Sequence, residues 1–373
     1  MTKLLAVFAI AMLLAYISER NTKAIRASGE HYTVWNDWAY IGLAAALILF
    51  AGLRTSYNDT YNYIEGFKKA PGIFEWLADP ENLNPFKNPL FYCFQSLIKT
   101  LTGEAKHLIF LSAAFTELCF LRFFRRYAPH FLFSMYIFFT LGTFVFTLAA
   151  IKQVLGMAIL TLGIPSLERK KWGRFYLVVL LAALVHTYAI IFAVLPLFRV
   201  RPWSLLTFSV VAVVAAVMMN FEEAITAFMD QANDLGKTLA DYEVFDDATI
   251  NVFRLAVYAV PPAISLIFRK WVLHKGSKMD NVFIHMSVMS FAFMCMGTQA
   301  GANMFGRMGN YFELGTICCL PVMLEKTFDE KSYRQVTAAA CVCFFGFFYY
   351  ANAISLTFDM DYNAMGLLEF FFS

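Results

Sequence analysis

The chain has 373 residues, of which 60% are hydrophobic, 17% aromatic and only 15% charged, whereas an ordinary soluble domain has about 45–50% apolar and about 25% charged residues. This composition excludes a soluble α/β enzyme and identifies a membrane protein, because 41 Phe and 18 Tyr need lipid tails and headgroups to cover them. The net charge of +3 is small and uneven, so it reports orientation in a bilayer rather than a nucleic-acid partner.

A bilayer core of about 30 Å needs about 20 helical residues. In chain order, suitable apolar runs are centred on residues 4–17, 38–53, 107–121, 131–151, 154–167, 175–198, 203–219, 255–268, 282–299, 308–324 and 336–356. The first follows a basic start at Lys3 and has no small-residue cleavage site after it, so it reads as an uncleaved helix rather than a signal peptide. Residues 89–101 are amphipathic and too short to span, which predicts a re-entrant or interfacial helix.

Short basic connections stay on the cytoplasmic side. Four clusters are placed there: Arg122, Arg125 and Arg126; Arg169, Lys170, Lys171 and Arg174; Arg199 and Arg201; and Arg269, Lys270, Lys275 and Lys278. The acidic connection 221–250, with Glu222, Glu223, Asp230, Asp234, Asp241, Glu243, Asp246 and Asp247 against Lys237, suits an external loop, as does the tail with Asp359 and Asp361. Residues 175–198 create a conflict. One crossing of about 36 Å would put Arg174 and Arg199 on opposite sides and move the acidic loop inside. A broken helix pair turning near His186 keeps both inside, and such backbone is tolerated where protein or a water-filled cavity surrounds it. The preferred fold is therefore an all-α, polytopic integral membrane helical bundle of about ten full crossings plus two re-entrant or interfacial helices. It forms a single domain over residues 1–373, with external loops 54–88 and 220–250. Both termini, the segment after Arg54, a turn at Lys152 and the stretch around Arg307 are then external.

The unusual polar residues collect on that face. Gly52-Leu53-Arg54 leads into Asp59 and Tyr63 among aromatics. An interfacial belt with a snorkelling Arg is one reading; the other is that Arg54 binds phosphate and Asp59 orients a basic partner or takes a sugar-hydroxyl proton. Lys152-Gln153 interrupts the apolar stretch 131–167, marking a turn or a cationic site. His186 lies deep in an apolar run, where an ionisable group faces the protein interior as a packed hydrogen-bonding residue or as a proton carrier. The glycine-rich run 297–309 leads to Arg307, either for close helix packing or as an amide-and-guanidinium cradle for an oxyanion or pyrophosphate. Glu117 and Glu313 read as paired structural acids.

There is no Walker loop, HExxH, GxSxG or DxD-like pair in the first external loop, which argues against a soluble nucleotide-sugar donor. The seven cysteines lack metal-ligand spacing and read as small buried hydrophobes.

The order of these elements resembles the EpsG family of Wzy-like polysaccharide polymerases over roughly residues 38–325. It is carried by Gly52-Leu53-Arg54 with Asp59 and Tyr63, Asn88-Pro89-Leu90-Phe91-Tyr92, Lys152-Gln153, His186 in His-x-x-Ala, and Arg307 with Tyr311-Phe312. Two positions depart from the family: Lys152 stands where Arg is usual, which removes a bidentate fork, and Asn58 stands where Gly is common.

The resemblance implies a membrane glycosyltransferase that polymerises polyprenyl-pyrophosphate-linked repeat units on the outer face of the bacterial inner membrane. The lipid-linked glycan donor and acceptor, and membrane lipid, are the implied partners, with a chain-length regulator as a further candidate. No cofactor or metal is required. Arg54, Lys152, Gln153, Arg307 and Tyr311 are the implied substrate-binding residues, and Asp59 or His186 the base. Two rivals stay open: a transferase using a polyprenyl-monophosphate sugar, which adds single sugars, and a non-catalytic transporter of lipid-linked glycan, which needs access from both faces.

Overall fold

The computed structural model describes residues 1–28, 31–220, 248–274 and 276–362; most of the acidic connection lies outside them. The described chain is helical apart from one short ladder. In order it forms α1 (Thr2–Ala27), α2 (Trp38–Gly52), β1 (Arg54–Ser56), α3 (Thr60–Lys69), α4 (Ile73–Ala78), α5 (Pro89–Thr102), α6 (Ala105–Tyr127), α7 (Phe131–Thr140), α8 (Thr143–Ala149), α9 (Ile151–Glu168) and α10 (Trp172–Val185). A 3-10 segment (Thr187–Arg199) follows, then α11 (Leu205–Met219), α12 (Val252–Ile267), α13 (Arg269–Val272), α14 (Lys278–Met296), α15 (Ala302–Thr327), α16 (Glu330–Tyr349) and β2 (Asp361–Tyr362).

This is a multi-pass membrane protein. Among the described residues five helices are long and apolar enough to cross a bilayer: α1, α6, α9, α14 and the stretch Glu330–Ser355 that contains α16. A sixth crossing arises if α7 and α8, bent by 53°, count as one span. All ten expected crossings are helical, but length and hydropathy support five to six of them. Helices α2, α11 and α12 have only 15, 15 and 16 residues, and α15 carries Arg307, Glu313, Glu325 and Lys326. The single span expected over 131–151 is broken by Gly142, whose φ is +97°, a backbone conformation that glycine adopts without strain.

Two compact units are formed. The first comprises Met1–Ile164, Gly173–Ile190 and Phe348–Ser373; the second, Pro165–Trp172 and Ile191–Phe347. Phenylalanine fills the interior of the first as well as facing outward. Phe8 meets Tyr136, Phe139 and Phe348 at ring distances of 5.6, 5.5 and 5.7 Å, and Phe139 meets Phe144 at 4.4 Å. Gly52 allows α2 to touch α6: a Cβ there would lie 2.7 Å from Phe110 Cδ2 and 3.3 Å from its Cα.

A charged knot closes one end of this unit. Asp37, fully buried, accepts hydrogen bonds from Ser18 Oγ (2.6 Å), Asn21 Nδ2 (3.0 Å), Tyr32 Oη (3.2 Å), the Tyr40 N–H (3.3 Å) and Arg125 Nη2 (2.9 Å). Arg125 also lies over Phe131 at 4.3 Å. The other end gathers the N-terminus and residues 358–362 around Arg54. Strand β1 pairs antiparallel with β2, Arg54 opposite Tyr362; the N-terminal amine donates to Phe358 O (3.1 Å) and Lys3 Nζ to Met360 O (2.7 Å). The N-terminus, residues 358–362 and the Arg54 segment therefore share one end, and the strand pair there was not foreseen.

In the second unit, Arg199 Nη1 donates to Leu167 O (2.7 Å) and Glu168 O (3.3 Å), with its guanidinium 5.7 Å from the Trp172 ring. Had α10 and the 3-10 segment run on in one direction, Arg199 would lie roughly 45 Å from Trp172. The chain instead doubles back at His186, giving the broken hairpin. Helices α14 and α15 approach closely because a Cβ at Gly315 would lie 2.4 Å from Met286 Cβ, and one at Gly309 would lie 3.2 Å from Ser290 O.

Two outcomes test this architecture. Single cysteines at Lys171 and Arg201, in a background lacking the exposed Cys343, should be labelled from the same side of the membrane; opposite labelling would refute the hairpin. Burial tends to raise the Asp37 carboxyl, but hydrogen bonds from Ser18, Asn21 and Tyr40 and the Arg125 charge outweigh it, leaving the group below its ordinary range. Its contribution is therefore complete above about pH 4 and fades as pH falls through the lowered value. Asp37→Asn should cost about 3–5 kcal/mol near neutral pH by leaving Arg125 without its charge partner, read as a lower melting temperature whose deficit shrinks in acid.

Candidate functional site

The turn after α2 places the first candidates. Asn58 adopts φ +44°, the left-handed region that Asn tolerates nearly as Gly does, which accounts for Asn at this position. The Thr60 N–H donates to Tyr57 O (2.9 Å) and the Tyr63 N–H to Asp59 O (3.1 Å), so Asp59 becomes the half-buried N-cap of α3. Arg54 does not snorkel. It is 3% exposed, donating from Nε to Thr60 Oγ1 (3.2 Å) and from Nη1 to Ala51 O. No described group accepts a hydrogen bond from Nη2. Burial draws the guanidinium down to about 10, opposed by Tyr63, Glu117, Tyr362 and Tyr57, so Arg54 remains a cation at neutral pH.

Lys152 and Gln153 occupy the first turn of α9 rather than a connecting turn. The Lys152 N–H donates to Tyr63 Oη (3.2 Å), and Tyr63 also interacts electrostatically with Arg54. Lys152 Nζ donates to Tyr92 Oη (3.3 Å) and lies 5.2 Å and 5.7 Å from the Tyr92 and Phe91 rings, an arrangement in which the ring faces attract the ammonium. Gln153 is buried beside it.

Helix α5, which carries these rings, also holds the hairpin tip. Asn88, with φ +53°, does not cap its own helix. Its Oδ1 accepts from the Thr187 N–H (3.0 Å) and Thr187 Oγ1 (3.1 Å). His186, the preceding residue, is 8% exposed with its ring edge-on to Tyr188 at 5.3 Å. Phe91, Ile109, Ile151, Leu155 and Val185 form one apolar cluster beneath, with Tyr63 against it. Arg54, Asp59, Lys152, Gln153 and His186 thus belong to one connected constellation. Of the residues that join them, Tyr92 was noted only as part of the Asn88–Tyr92 motif and Thr187 was missed: a Thr in an apolar run carries no signal until the pieces meet.

Arg307 and Tyr311 belong to the second unit. Arg307 is half-buried on α15, its Nε donating to Asn303 Oδ1 (3.0 Å); Tyr311 is fully buried, 6.4 Å from Phe192. The amide cradle expected from the glycines is not formed. The N–H groups of Thr298, Gln299 and Ala302 donate to Cys295 O, Met296 O and Ala248 O, and Gly309 serves helix packing. A second arginine, missed in the sequence, sits nearby: Arg254 lies 5.6 Å over the Tyr258 ring. Its signal was an ionisable group one turn into an apolar helix, four residues before an aromatic.

Glu313 accepts from the Asn310 amide in the orientation that satisfies it (3.2 Å), and Glu117 from Thr147 Oγ1 (2.8 Å), matching their reading as paired acids. The seven cysteines are free.

Chemically, the first unit offers a buried guanidinium, an ammonium held by Tyr92, an acid at a helix start and a histidine at a backbone break. Substituting Asn88 tests their coupling. Asn88→Gly keeps the left-handed backbone but orphans the Thr187 N–H, so it should cost about 1–3 kcal/mol in thermal stability and lower polymer output; unchanged values would dissociate the hairpin tip from α5.

A model described as the EpsG family matches residues 37–364. No curated protein and no solved structure matches.

Proposed function

We propose, from the premise that this chain belongs to the EpsG family of Wzy-like polysaccharide polymerases, that it polymerises repeat units carried on polyprenyl pyrophosphate at the outer face of the bacterial inner membrane. The acceptor hydroxyl oxygen attacks the anomeric carbon of the growing chain, the carbon–oxygen bond to pyrophosphate breaks, and the pyrophosphate leaves with the electron pair. The hydroxyl proton passes to Asp59 or His186. Developing negative charge on the leaving group requires preorganised cations in a water-poor site. Arg54 is assigned this role with Lys152 beside it, and Arg307 is assigned separately to a phosphate of a lipid-linked substrate. Gln153 and Tyr311 are supporting residues of these positions.

The observation that carries this reading is the joining of Lys152 and the hairpin tip through Tyr92 and Asn88 at the start of α5, with Tyr63 bonded to the Lys152 N–H and interacting electrostatically with Arg54. Arg54 also fits phosphate better than a structural arginine would, since Nη2 is uncommitted while Nε and Nη1 are fixed.

Lysine keeps charge but loses the planar fork. Arg54→Lys and Arg307→Lys, expressed at normal level and with melting temperature checked, should accumulate single repeat units. A lost contact of about 3 kcal/mol in the transition state corresponds to roughly a hundredfold in rate. Normal polymer from both would remove the phosphate assignment. For the base, Asp59→Asn should leave the protein in the membrane and abolish most polymer; normal polymer from it, with loss in His186→Ala, would transfer the role to His186. Addition of one sugar only, rather than a ladder of repeat units, would identify a monophosphate-sugar transferase instead.

A further inference from the structure

At the start of α11, Arg201, Pro202, Trp203 and Ser204 line a pocket of about 360 Å3 together with Arg269, Lys270 and Leu273. Three cations share its wall, and no carboxylate among the described residues pairs with any of them. The three cations are exposed, and an anion seated among them relieves their mutual repulsion.

The wall is built rather than casual. Trp203 has φ +58°, a conformation that costs a non-glycine residue about 1–3 kcal/mol. Its indole N–H donates to Ser265 Oγ (3.1 Å), which donates to Pro262 O (2.8 Å). Its backbone N–H donates to Thr207 Oγ1 (2.9 Å), itself 2.9 Å from His285 Nε2. Beside it, Ser204 is the N-cap of α11, yet its Oγ is shielded from solvent and makes no hydrogen bond. The first amides of this 15-residue helix also lack intrahelical acceptors.

The surroundings indicate what presents the anion. Leu205, Ile267 and Trp271 are 83%, 69% and 55% exposed. On a multi-pass protein, outward apolar side chains meet acyl chains, and a Trp among them marks headgroup depth. A basic pocket at that level matches a lipid phosphate.

We propose that this pocket binds the phosphate of an anionic phospholipid headgroup. Arg201, Arg269 and Lys270 neutralise it, and the first amides of α11 donate to its oxygens. The site uses none of the residues assigned to glycan transfer. Free phosphate shares the chemistry, whereas the apolar rim favours the lipid.

The test uses the full chain in a neutral detergent. Phosphatidylglycerol, phosphatidylcholine or inorganic phosphate is titrated in, and bound molecules are counted by native mass spectrometry. The combined variant Arg201→Gln, Arg269→Gln, Lys270→Gln should bind phosphatidylglycerol at least tenfold more weakly than the wild type. The control Arg122→Gln, Lys331→Gln should match the wild type, and phosphatidylcholine should bind weakly throughout. Thermal unfolding checks that each variant is folded. Equal phosphatidylglycerol binding by wild type and the combined variant would overturn the site. Saturable binding of inorganic phosphate, with no preference for phosphatidylglycerol over phosphatidylcholine, would overturn the lipid as its source.

Discussion

A helix that breaks inside a membrane protein frees backbone N–H groups that no water is present to satisfy. At His186 one of these groups, the Thr187 N–H, is taken by Asn88, and much of the first unit depends on that contact. It fixes the start of α5, whose Phe91 and Tyr92 rings in turn receive Lys152. The Lys152 backbone bonds Tyr63, which belongs to α3, the helix that Asp59 caps. A single amide side chain thereby ties a hairpin, a short amphipathic helix and the segment after α2 into one arrangement.

The buried charges divide by how completely they are used. Asp37 spends its carboxylate on five donors, including Arg125, and has no capacity left for a ligand; it is a clamp between helices. Arg54 is almost as buried but spends only part of its fork. Both are costly residues to bury, yet only the second retains a donor. Glu117 and Glu313 resemble Asp37 in kind, each receiving a neutral donor from a neighbouring helix or from its own.

The helical character of every long apolar run was legible, because composition and length decide it. So was the reversal at His186, which followed from matching basic signatures at Arg174 and Arg199. The number of crossings was not legible: apolar runs of 15 or 16 residues do not declare whether they span, and Gly142 breaks one run that hydropathy reads as continuous. Arg54, Asp59, Lys152 and His186 stood out as polar residues against an apolar background, whereas Asn88 and Tyr92 stood only as motif positions and Thr187 not at all. Asn88 accepts two hydrogen bonds from Thr187 and Tyr92 one from Lys152, across separations of 99 and 60 residues. The glycines at 309 and 315 are sequence-ambiguous in a different way, since a missing Cβ serves an anion or a neighbouring helix equally until the neighbour is seen.

The small ladder at the end of the chain carries a consequence for biogenesis. Ser56 and Asp361, bonded to each other, are 305 residues apart, so the Arg54 segment leaves the ribosome early and finds its partner strand only after every helix between them has been made. Contacts of such separation form late. An incompletely translated chain can insert its helices in the membrane while lacking the strand that pairs with the Arg54 segment, which couples the finishing of that segment to the synthesis of residues 361–362.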